Sequence, residues 1–498
     1  MEDNFSDSNT VSMDTIESIT SKIVDDSSDD DDEESSYYLY NTNKKLEEVR
    51  KNRLDCFVAS QIQHTPVKRG PRQDGKRKMD AWDFVMSWSE DLFYQQFRMF
   101  KKQFFEIVRR CKEVYPGSSQ NGLTNYDLAV KRGNASTCGK HTSIEIKLCI
   151  FLRLCAGASY IDMIWYGVAL TSVNPIFLFM LDLVDKALPD EEIFNFPKTQ
   201  IQLEECANEW SQVMIKSKGF DLFEGTLLAG DGLVVPINCP SEKDLHKAGL
   251  SAASFRNRKG CFAIIVSAFC DAFGMIRYIQ MDWPGSTPDI TAYRQTDLYN
   301  KFDGGKIPTK YHLVLDEAYS SIGGDQHLTP FSRNQLIKAR LHSKVLYGQM
   351  KAFNNILSSQ RITIERCFGM WVRKWGILWK NLEHDLPTNQ KIIKVTAKLH
   401  NVCISEWKVR GKRCDEIAKI ERDFIQSRND TDVFYLHSDQ FNGGDLPDDH
   451  TVQEYMENNL RDGSRAATTS QKKQQIMQRI VNCGFTFHHN QDNDFILN

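Results

Sequence analysis

The hydrophobic positions change their period part-way along the chain. Up to about residue 220, apolar residues recur mostly at spacings of three and four, as between Leu92 and Cys111, which predicts amphipathic helices. From Gly225 onward, short apolar runs bounded by turn residues predict strands, and one of these runs is apolar enough to be covered on both faces. The four predicted strands are Thr226–Ile237, Cys261–Cys270, Met275–Trp283 and Tyr311–Leu315.

Helices complete this pattern. We predict a helix over Asp289–Tyr299, an irregular segment over 317–345, a long helix after it and another helix over Lys391–Ile404. This order of elements is that of an RNase H-like α/β core: three strands, a helix, a fourth strand and a late helix. We therefore predict a mixed sheet of that kind. The long helix has a buried stripe at helical spacing, formed by Ile364, Cys367, Phe368, Trp371, Trp375 and Leu378.

The helical block before the sheet allows a helix-turn-helix unit. Thr142 and Glu145 have the spacing of a capping box at a helix start. The second helix of such a unit enters the DNA major groove; here it would begin near Ser172 and offers few base-reading side chains, so a plain helical bundle is the alternative. The uncharged stretch Met163–Leu181 contains turn residues and is flanked by aspartates, so we predict buried helices and no membrane partner.

Charge is balanced overall but not locally. The 498 residues include 62 basic and 66 acidic side chains, yet residues 21–40 hold eight acids and residues 44–79 hold eleven lysines and arginines. The acidic run has too little apolar surface to fold, and the basic arm is typical of a nucleic-acid contact, a nuclear-import signal or a solvated linker. Scattered cysteines without a CxxC pair, and no secretory pattern, favour an intracellular protein.

These observations divide the chain into five predicted segments. The tails are expected to be disordered, and the C-terminal one has room for one helix. The segments are an acidic tail (1–43), a basic arm (44–80), a helical domain with a candidate helix-turn-helix unit (81–220), an RNase H-like α/β domain (221–406) and a polar C-terminal tail (407–498).

Three acids far apart in the sequence fall where this fold would bring them together. Asp231 lies inside the first predicted strand, Asp316 at the end of the fourth, and Glu365 on the long helix beside its buried stripe. In an RNase H-like sheet the first and fourth strands are neighbours, and that helix crosses them. Mg²⁺ takes oxygen ligands, and two such ions assist in-line phosphodiester cleavage. The alternative is that each acid caps a helix or pairs with an arginine.

Five segments, in order, resemble the PIF/Harbinger-type DDE transposases and their domesticated nuclease-like relatives. LLAGDGLVVPI resembles the strand of the first catalytic aspartate, here Asp231, and LVLDEAYSS the strand end with the second, here Asp316. The helix with Glu365 followed by Arg366 resembles the one that carries the catalytic glutamate. CFAIIVSAFCDAFGMIRYIQMDWPGSTPDI resembles the hairpin and the segment with a further acid, here Asp289, and AKLHNVCI resembles the closing helix.

This resemblance implies a metal-dependent endonuclease that cuts DNA at transposon ends and joins the freed 3′ end to target DNA. Asp231, Asp316 and Glu365 would be the catalytic and metal-binding residues, with Mg²⁺ as cofactor and Mn²⁺ as its substitute. Asp289 and Arg366 would be supporting residues. It also implies a nuclear location and, in many members, a separate Myb-like DNA-binding partner; we further expect a homo-oligomer.

Two departures from the family pattern bear on activity. Ala318 stands where the family commonly has glycine, and Pro288 stands where it usually has histidine. Neither change removes a carboxylate, so we expect catalytic competence. The alternatives are a domesticated DNA-binding or scaffold protein without catalysis, and an RNase H-like nuclease that acts on RNA or hybrids.

Basic side chains near these segments are candidate phosphate contacts, which give sequence-independent and salt-dependent affinity. The loop Ser254–Gly260 holds three basic residues and one aromatic residue, although an ordinary solvated hairpin loop has the same composition. The predicted DNA-binding residues are Arg256, Arg258, Lys259, Arg361, Arg373 and Lys374.

Overall fold

The structure is a computed structural model that describes residues 81–115, 142–426 and 470–482. The predicted acidic tail 1–43, the basic arm 44–80 and most of the predicted C-terminal tail therefore lie outside the described residues. All of the described residues belong to one compact unit.

Seven helices precede the first strand among the described residues, together with a short 3-10 helix at Tyr160–Tyr166. They are α1 (Ala81–Met86), α2 (Glu90–Phe97), α3 (Lys101–Val114), α4 (Ile144–Cys155), α5 (Leu170–Ala187), α6 (Asp190–Ile193) and α7 (Gln200–Lys218).

The sheet region contains the five strands β1 (Thr226–Pro236), β2 (Ala263–Cys270), β3 (Ile276–Pro284), β4 (His312–Val314) and β5 (His327–Leu328). Its helices are α8 (Glu242–Ala248), α9 (Asp289–Arg294), α10 (Asp297–Asp303), α11 (Arg333–His342), α12 (Lys344–Lys374), α13 (Leu386–Val409), α14 (Cys414–Gln426) and α15 (Gln471–Asn482). Short 3-10 helices lie at Ala252–Phe255, Glu317–Ile322 and Gly376–Trp379.

The strands form one mixed sheet in the order β3-β2-β1-β4-β5. The β1–β2 and β2–β3 pairs are antiparallel, whereas β4 pairs in parallel with both β1 and β5. The predicted adjacency of the first and fourth strands is therefore confirmed. This mixed α/β architecture is consistent with an RNase H-like core.

Helices cover both faces of the sheet. On one face, Ala229 and Val235 of β1 share a hydrophobic cluster with Ile364 and Trp371 of α12. On the other face, residues of β1 and β2 pack with α9 and α10, where Tyr293 is fully buried. All eight residues of β2 are buried, as its continuous apolar run predicts.

The helices before the sheet pack into the same core as the sheet. Phe104, Phe151 and Phe177, from α3, α4 and α5, belong to the cluster that contains the β1 and α12 side chains. No single helix in the described ranges is long and apolar enough to span a membrane. The 3-10 helix at 160–166 and α5 satisfy that criterion only as a pair, and a bend of 94° separates them.

Several predicted boundaries differ from the structure. The cap of α4 is Ser143, whose hydroxyl accepts a hydrogen bond from the Ile146 amide (3.3 Å), and not Thr142. The single helix predicted over 289–299 is two helices, because Thr296 ends one turn and caps the next through the Tyr299 amide (3.0 Å). The segment 317–345, predicted to be irregular, contains a 3-10 helix, β5 and α11.

Candidate active site

The register of β1 and β4 places two of the predicted catalytic acids side by side. Ala229 lies opposite Val314 in this parallel pair. Asp231 and Asp316 each follow two residues later, so they lie next to each other where β4 ends and on the same face of the sheet. Asp231 lies two residues from both Ala229 and Leu233, which belong to the hydrophobic cluster that β1 shares with α12. Its side chain therefore points to the face of the sheet that α12 covers.

Helix α12 brings the third acid to the same place. The buried stripe of α12 packs against the sheet. Gln360 of this helix accepts a hydrogen bond from the buried Thr226 hydroxyl at the start of β1 (3.3 Å). Glu365 follows a little over one turn later with its side chain 20% exposed. The charge of Asp316 acts on Glu365, so these two carboxylates are close enough to interact electrostatically.

A fourth acid approaches β1 from the opposite face. Asp289 is the first residue of α9, and a Cβ atom added at Gly232 would lie 2.6 Å from its Cγ atom. Gly232 and Asp231 are consecutive strand residues and face opposite sides of the sheet. The structure therefore adds Asp289 to the acid cluster, which we define as Asp231, Asp289, Asp316 and Glu365.

Burial and mutual repulsion dominate the electrostatics of the acid cluster. Burial raises the pKa of Asp231 to about 7, and the charges of Asp316 and Asp289 act in the same direction; the Gly232 amide, which donates a hydrogen bond to Oδ1 (2.8 Å), opposes the shift. Burial also raises the pKa of Glu365 and the pKa of Asp289. Carboxylates crowded in this way are stabilised by a cation.

Arg361 supplies a cation at this position. It lies one turn before Glu365 on α12, and its Nη2 atom donates a hydrogen bond to Glu365 Oε1 (3.1 Å). Its Nη1 atom lies 3.1 Å from Asp316 Oδ1, so the guanidinium bridges two members of the acid cluster. Within the described part of the chain, no three His, Cys, Asp or Glu side chains are arranged to hold a metal ion as they stand.

Tyr319 is a residue of this region that the sequence analysis did not identify. It is fully buried in the 3-10 helix after Asp316, and its hydroxyl has no hydrogen-bond partner among the described residues. Burial raises the pKa of this hydroxyl well above its ordinary value, and the charges of Asp231, Asp289 and Asp316 raise it further. The sequence held one signal for Tyr319: it lies three residues after Asp316, and one turn of a 3-10 helix would place both residues on the same side of that helix.

The loop 256–260 exposes the basic residues that were predicted to contact DNA. Arg256, Arg258 and Lys259 are exposed, and the Asn257 side chain organises the turn by accepting hydrogen bonds from the amides of residues 259 and 261 (both 3.0 Å). The charge of Arg258 lowers the pKa of Asp289 against the effect of burial. This loop therefore lies beside the acid cluster.

The basic residues of α12 are placed differently. Lys374 is 1% exposed, and its ammonium group lies 3.2 Å from the Tyr94 hydroxyl and over the ring of the same residue. Its assignment as a DNA contact is wrong, because packing against α2 removes it from the surface. Arg361 is paired with the acids, whereas Arg366 and Arg373 are half-buried, and the charge of Arg366 acts on Glu365.

The comparison with known families agrees with this arrangement. Residues 230–401 match the family described as DDE superfamily endonuclease, and all four acids of the cluster fall inside the match. The resemblance predicted from the sequence is therefore confirmed.

One curated relative is the human protein "Putative nuclease HARBI1", which is 25% identical to this chain over 203 residues. The similar region covers 40% of this chain and 52% of that protein, so the chain spans about half the length of its relative. No solved structure matches the chain.

Proposed function

We propose that this protein is a metal-dependent DNA endonuclease of the transposase type, which cuts phosphodiester bonds at transposon ends and transfers the freed strands. The convergence of Asp231, Asp316 and Glu365 at the end of β4 is the observation that carries this proposal. The family match over 230–401 supports a nuclease-type activity.

The chemistry of the acid cluster fits a hard divalent cation. Asp231, Asp316 and Glu365 would hold Mg²⁺, or Mn²⁺ in its place, since these ions prefer carboxylate oxygens. When bound, a pair of such ions activates the attacking hydroxyl and stabilises the leaving oxygen. Asp289 adds negative charge from the other face of β1, and the Arg361 guanidinium already occupies the place of a cation between two of the acids.

The chain's own residues would also position the substrate. The exposed loop with Arg256, Arg258 and Lys259 lies beside the acid cluster and would bind DNA phosphates, thereby orienting a strand towards the acids. The half-buried Arg373 and Arg366 are secondary candidates on α12. The three-helix arrangement of α4, the 3-10 helix at 160–166 and α5 is a further candidate DNA contact of the helix-turn-helix type.

A second candidate function is a domesticated DNA-binding or scaffold protein without catalysis. One observation favours it: the Arg361 guanidinium already forms ion pairs with Asp316 and Glu365, which are two of the expected metal ligands. In this case the basic loop would bind DNA, and substitution of the acids would leave that binding unchanged.

Strand cleavage by the purified full-length protein decides between the two functions. The substrate is DNA that carries the inverted repeats flanking the protein's own gene, with Mg²⁺ or Mn²⁺, and a candidate Myb-like protein added in a parallel reaction. We expect metal-dependent cutting at the repeat ends that is lost in Asp231→Asn and Glu365→Gln. Asp282→Asn, an exposed acid on β3, is the matched control and should cut like the wild type.

The outcomes of this experiment separate the functions. Cutting that survives both site variants would place the activity elsewhere or in a contaminant. No cutting by the wild type, combined with DNA binding that Asp231→Asn does not change, would support the DNA-binding module.

We further propose a nuclear location, a homo-oligomer and a Myb-like DNA-binding partner. The basic clusters at 68–72 and 76–78 would serve as an import signal or as a DNA arm. Removal of residues 44–79 should weaken nuclear entry or DNA binding, and unchanged values of both would contradict this role.

A further inference from the structure

The position of Arg361 suggests a role beyond that of a surface cation. The side chain is 14% exposed, and it forms ion pairs with Asp316 and Glu365. Its Nε atom is buried without a hydrogen-bond partner in the described part of the chain. The charge of Arg361 also lowers the pKa of Asp231 against burial, so one guanidinium acts on all three expected metal ligands.

A divalent cation bound to the same acids would compete with this guanidinium. Arg361 donates to Oε1 of Glu365 and lies against Oδ1 of Asp316, which are two of the oxygens a metal would use. Two cations at one partly buried site repel each other strongly, because the effective dielectric constant there is far below that of water. The arginine and the metal cannot both hold these contacts.

We propose that Arg361 is a positioning residue that stands in for the metal: it holds Asp316 and Glu365 in place when no metal is present, and it must leave them when the metal binds. This inference rests on the proposed function. It predicts that Arg361 lowers the affinity of the site for divalent cations while it stabilises the metal-free protein. An arginine with a purely structural role would instead keep the site in shape for the metal, and its substitution would weaken metal binding.

Mn²⁺ binding to the full-length protein, measured by electron paramagnetic resonance, tests this role without any activity measurement. The double variant Asp316→Asn plus Glu365→Gln identifies the binding that belongs to the site, because the acidic run at residues 25–34 is also able to bind Mn²⁺. We expect Arg361→Gln to lower the Kd of that binding by about tenfold or more. Its melting temperature should be lower than that of the wild type in EDTA and should rise further when Mn²⁺ is added.

Arg410→Gln is the matched control. Arg410, which directly follows the last residue of α13, also pairs with a glutamate four residues away, Glu406 (3.0 Å), and neither residue belongs to the acid cluster. Its Mn²⁺ affinity should equal that of the wild type. Should Arg361→Gln not fold, Arg361→Lys carries the test: a Kd below the wild-type value supports the role, and an equal or higher Kd overturns it.

The two proposals fail in different ways. If the wild type binds Mn²⁺ at the site and Arg361→Gln binds it equally or more weakly, the role of Arg361 is overturned while the proposed nuclease function stands. If the folded wild type shows no Mn²⁺ binding that depends on Asp316 and Glu365, the metal-dependent function itself is overturned.

Discussion

The carboxylate of Asp289 occupies the space in which a side chain at Gly232 would stand. A Cβ atom at Gly232 would come within 2.6 Å of the Asp289 Cγ atom. The absence of a side chain at this strand position therefore lets the first residue of α9 place its carboxylate against β1, one residue from Asp231. Acids from opposite faces of one strand meet at this point.

Gly232→Ala should displace the Asp289 carboxylate and lower DNA cleavage. The clashing group is the end of a side chain that is able to rotate, so we expect the fold to persist and the melting temperature to change by only a few degrees. A misplaced group at a reacting centre typically costs about 10²-fold in rate. Steady-state cleavage with thermal melting of the same samples measures both effects.

Gly369→Ala is the control for this substitution. Gly369 is an exposed position of α12 with no atom within 4 Å of an added Cβ, so alanine should stabilise the helix by about 0.5–1 kcal/mol and leave cleavage unchanged. Wild-type cleavage by Gly232→Ala would show that the position of Asp289 is unimportant.

Asp231→Asn should stabilise the metal-free protein at neutral and alkaline pH. Burial raises the pKa of Asp231 from 3.8 to about 7 in the folded protein. The folded state therefore binds this proton more tightly than the unfolded state. The stability that the protonated Asp231 carboxyl contributes is fully present below about pH 4 and is lost as the pH rises through 7. Asparagine does not titrate and avoids that loss.

Urea unfolding in EDTA between pH 4 and 8 measures this difference. We expect the gap between Asp231→Asn and the wild type to open as the pH rises and to reach at most about 4 kcal/mol. Asp282→Asn on the exposed edge of β3 should differ from the wild type by about 0.5 kcal/mol or less. A gap at Asp231 that does not depend on pH would contradict the burial of its charge.

Lys398→Ala should destabilise the protein, because Lys398 joins α13 to two helices of the N-terminal block. Its ammonium group lies 2.5 Å from both Asp185 Oδ1 and Asp190 Oδ1, and the side chain is 1% exposed. Truncation leaves the two carboxylates without this partner, although Lys394 still contacts them, so we expect a loss of about 3 kcal/mol.

Lys391→Ala provides the comparison on the same helix. Lys391 pairs with Asp182 of α5 at 2.5 Å, but both side chains are well exposed, so its loss should cost at most about 1 kcal/mol. Chemical denaturation of the two variants measures the difference, and equal costs would mean that the buried pair contributes no more than a surface one.

Arg258→Gln and Lys259→Gln should weaken DNA binding in a salt-dependent manner. Each exposed charge that contacts a phosphate contributes about one unit to the slope of log affinity against log salt concentration. We expect each variant to reduce that slope by about one unit in fluorescence anisotropy titrations. Lys102→Gln, an exposed lysine that pairs with Glu406, should leave the slope unchanged. A full wild-type slope in Arg258→Gln would exclude this loop from the DNA contact.

Much of the sheet region could be predicted from local sequence. The apolar runs that became β1, β2 and β3 were located to within two residues at each end, because a strand buried on both faces leaves a continuous apolar signal. The stripe of α12 was equally clear, since its period follows directly from the helix geometry. The two-residue strand β5 was missed, because so short an element is stabilised by its neighbour and leaves no periodic pattern.

Local sequence patterns were sufficient to identify the candidate acids and the elements on which they lie. Asp231 on a buried strand, Asp316 at a strand end and Glu365 beside a helical stripe follow from local periodicity, and their adjacency follows once the strand order is known. Three contacts could be seen only in the folded protein: Arg361 bridges Asp316 and Glu365, Asp289 meets Gly232, and Lys374 is buried against Tyr94. Periodicity fixes the face of an element on which a residue lies, whereas pairing depends on the crossing angle and register of elements that are far apart in the chain.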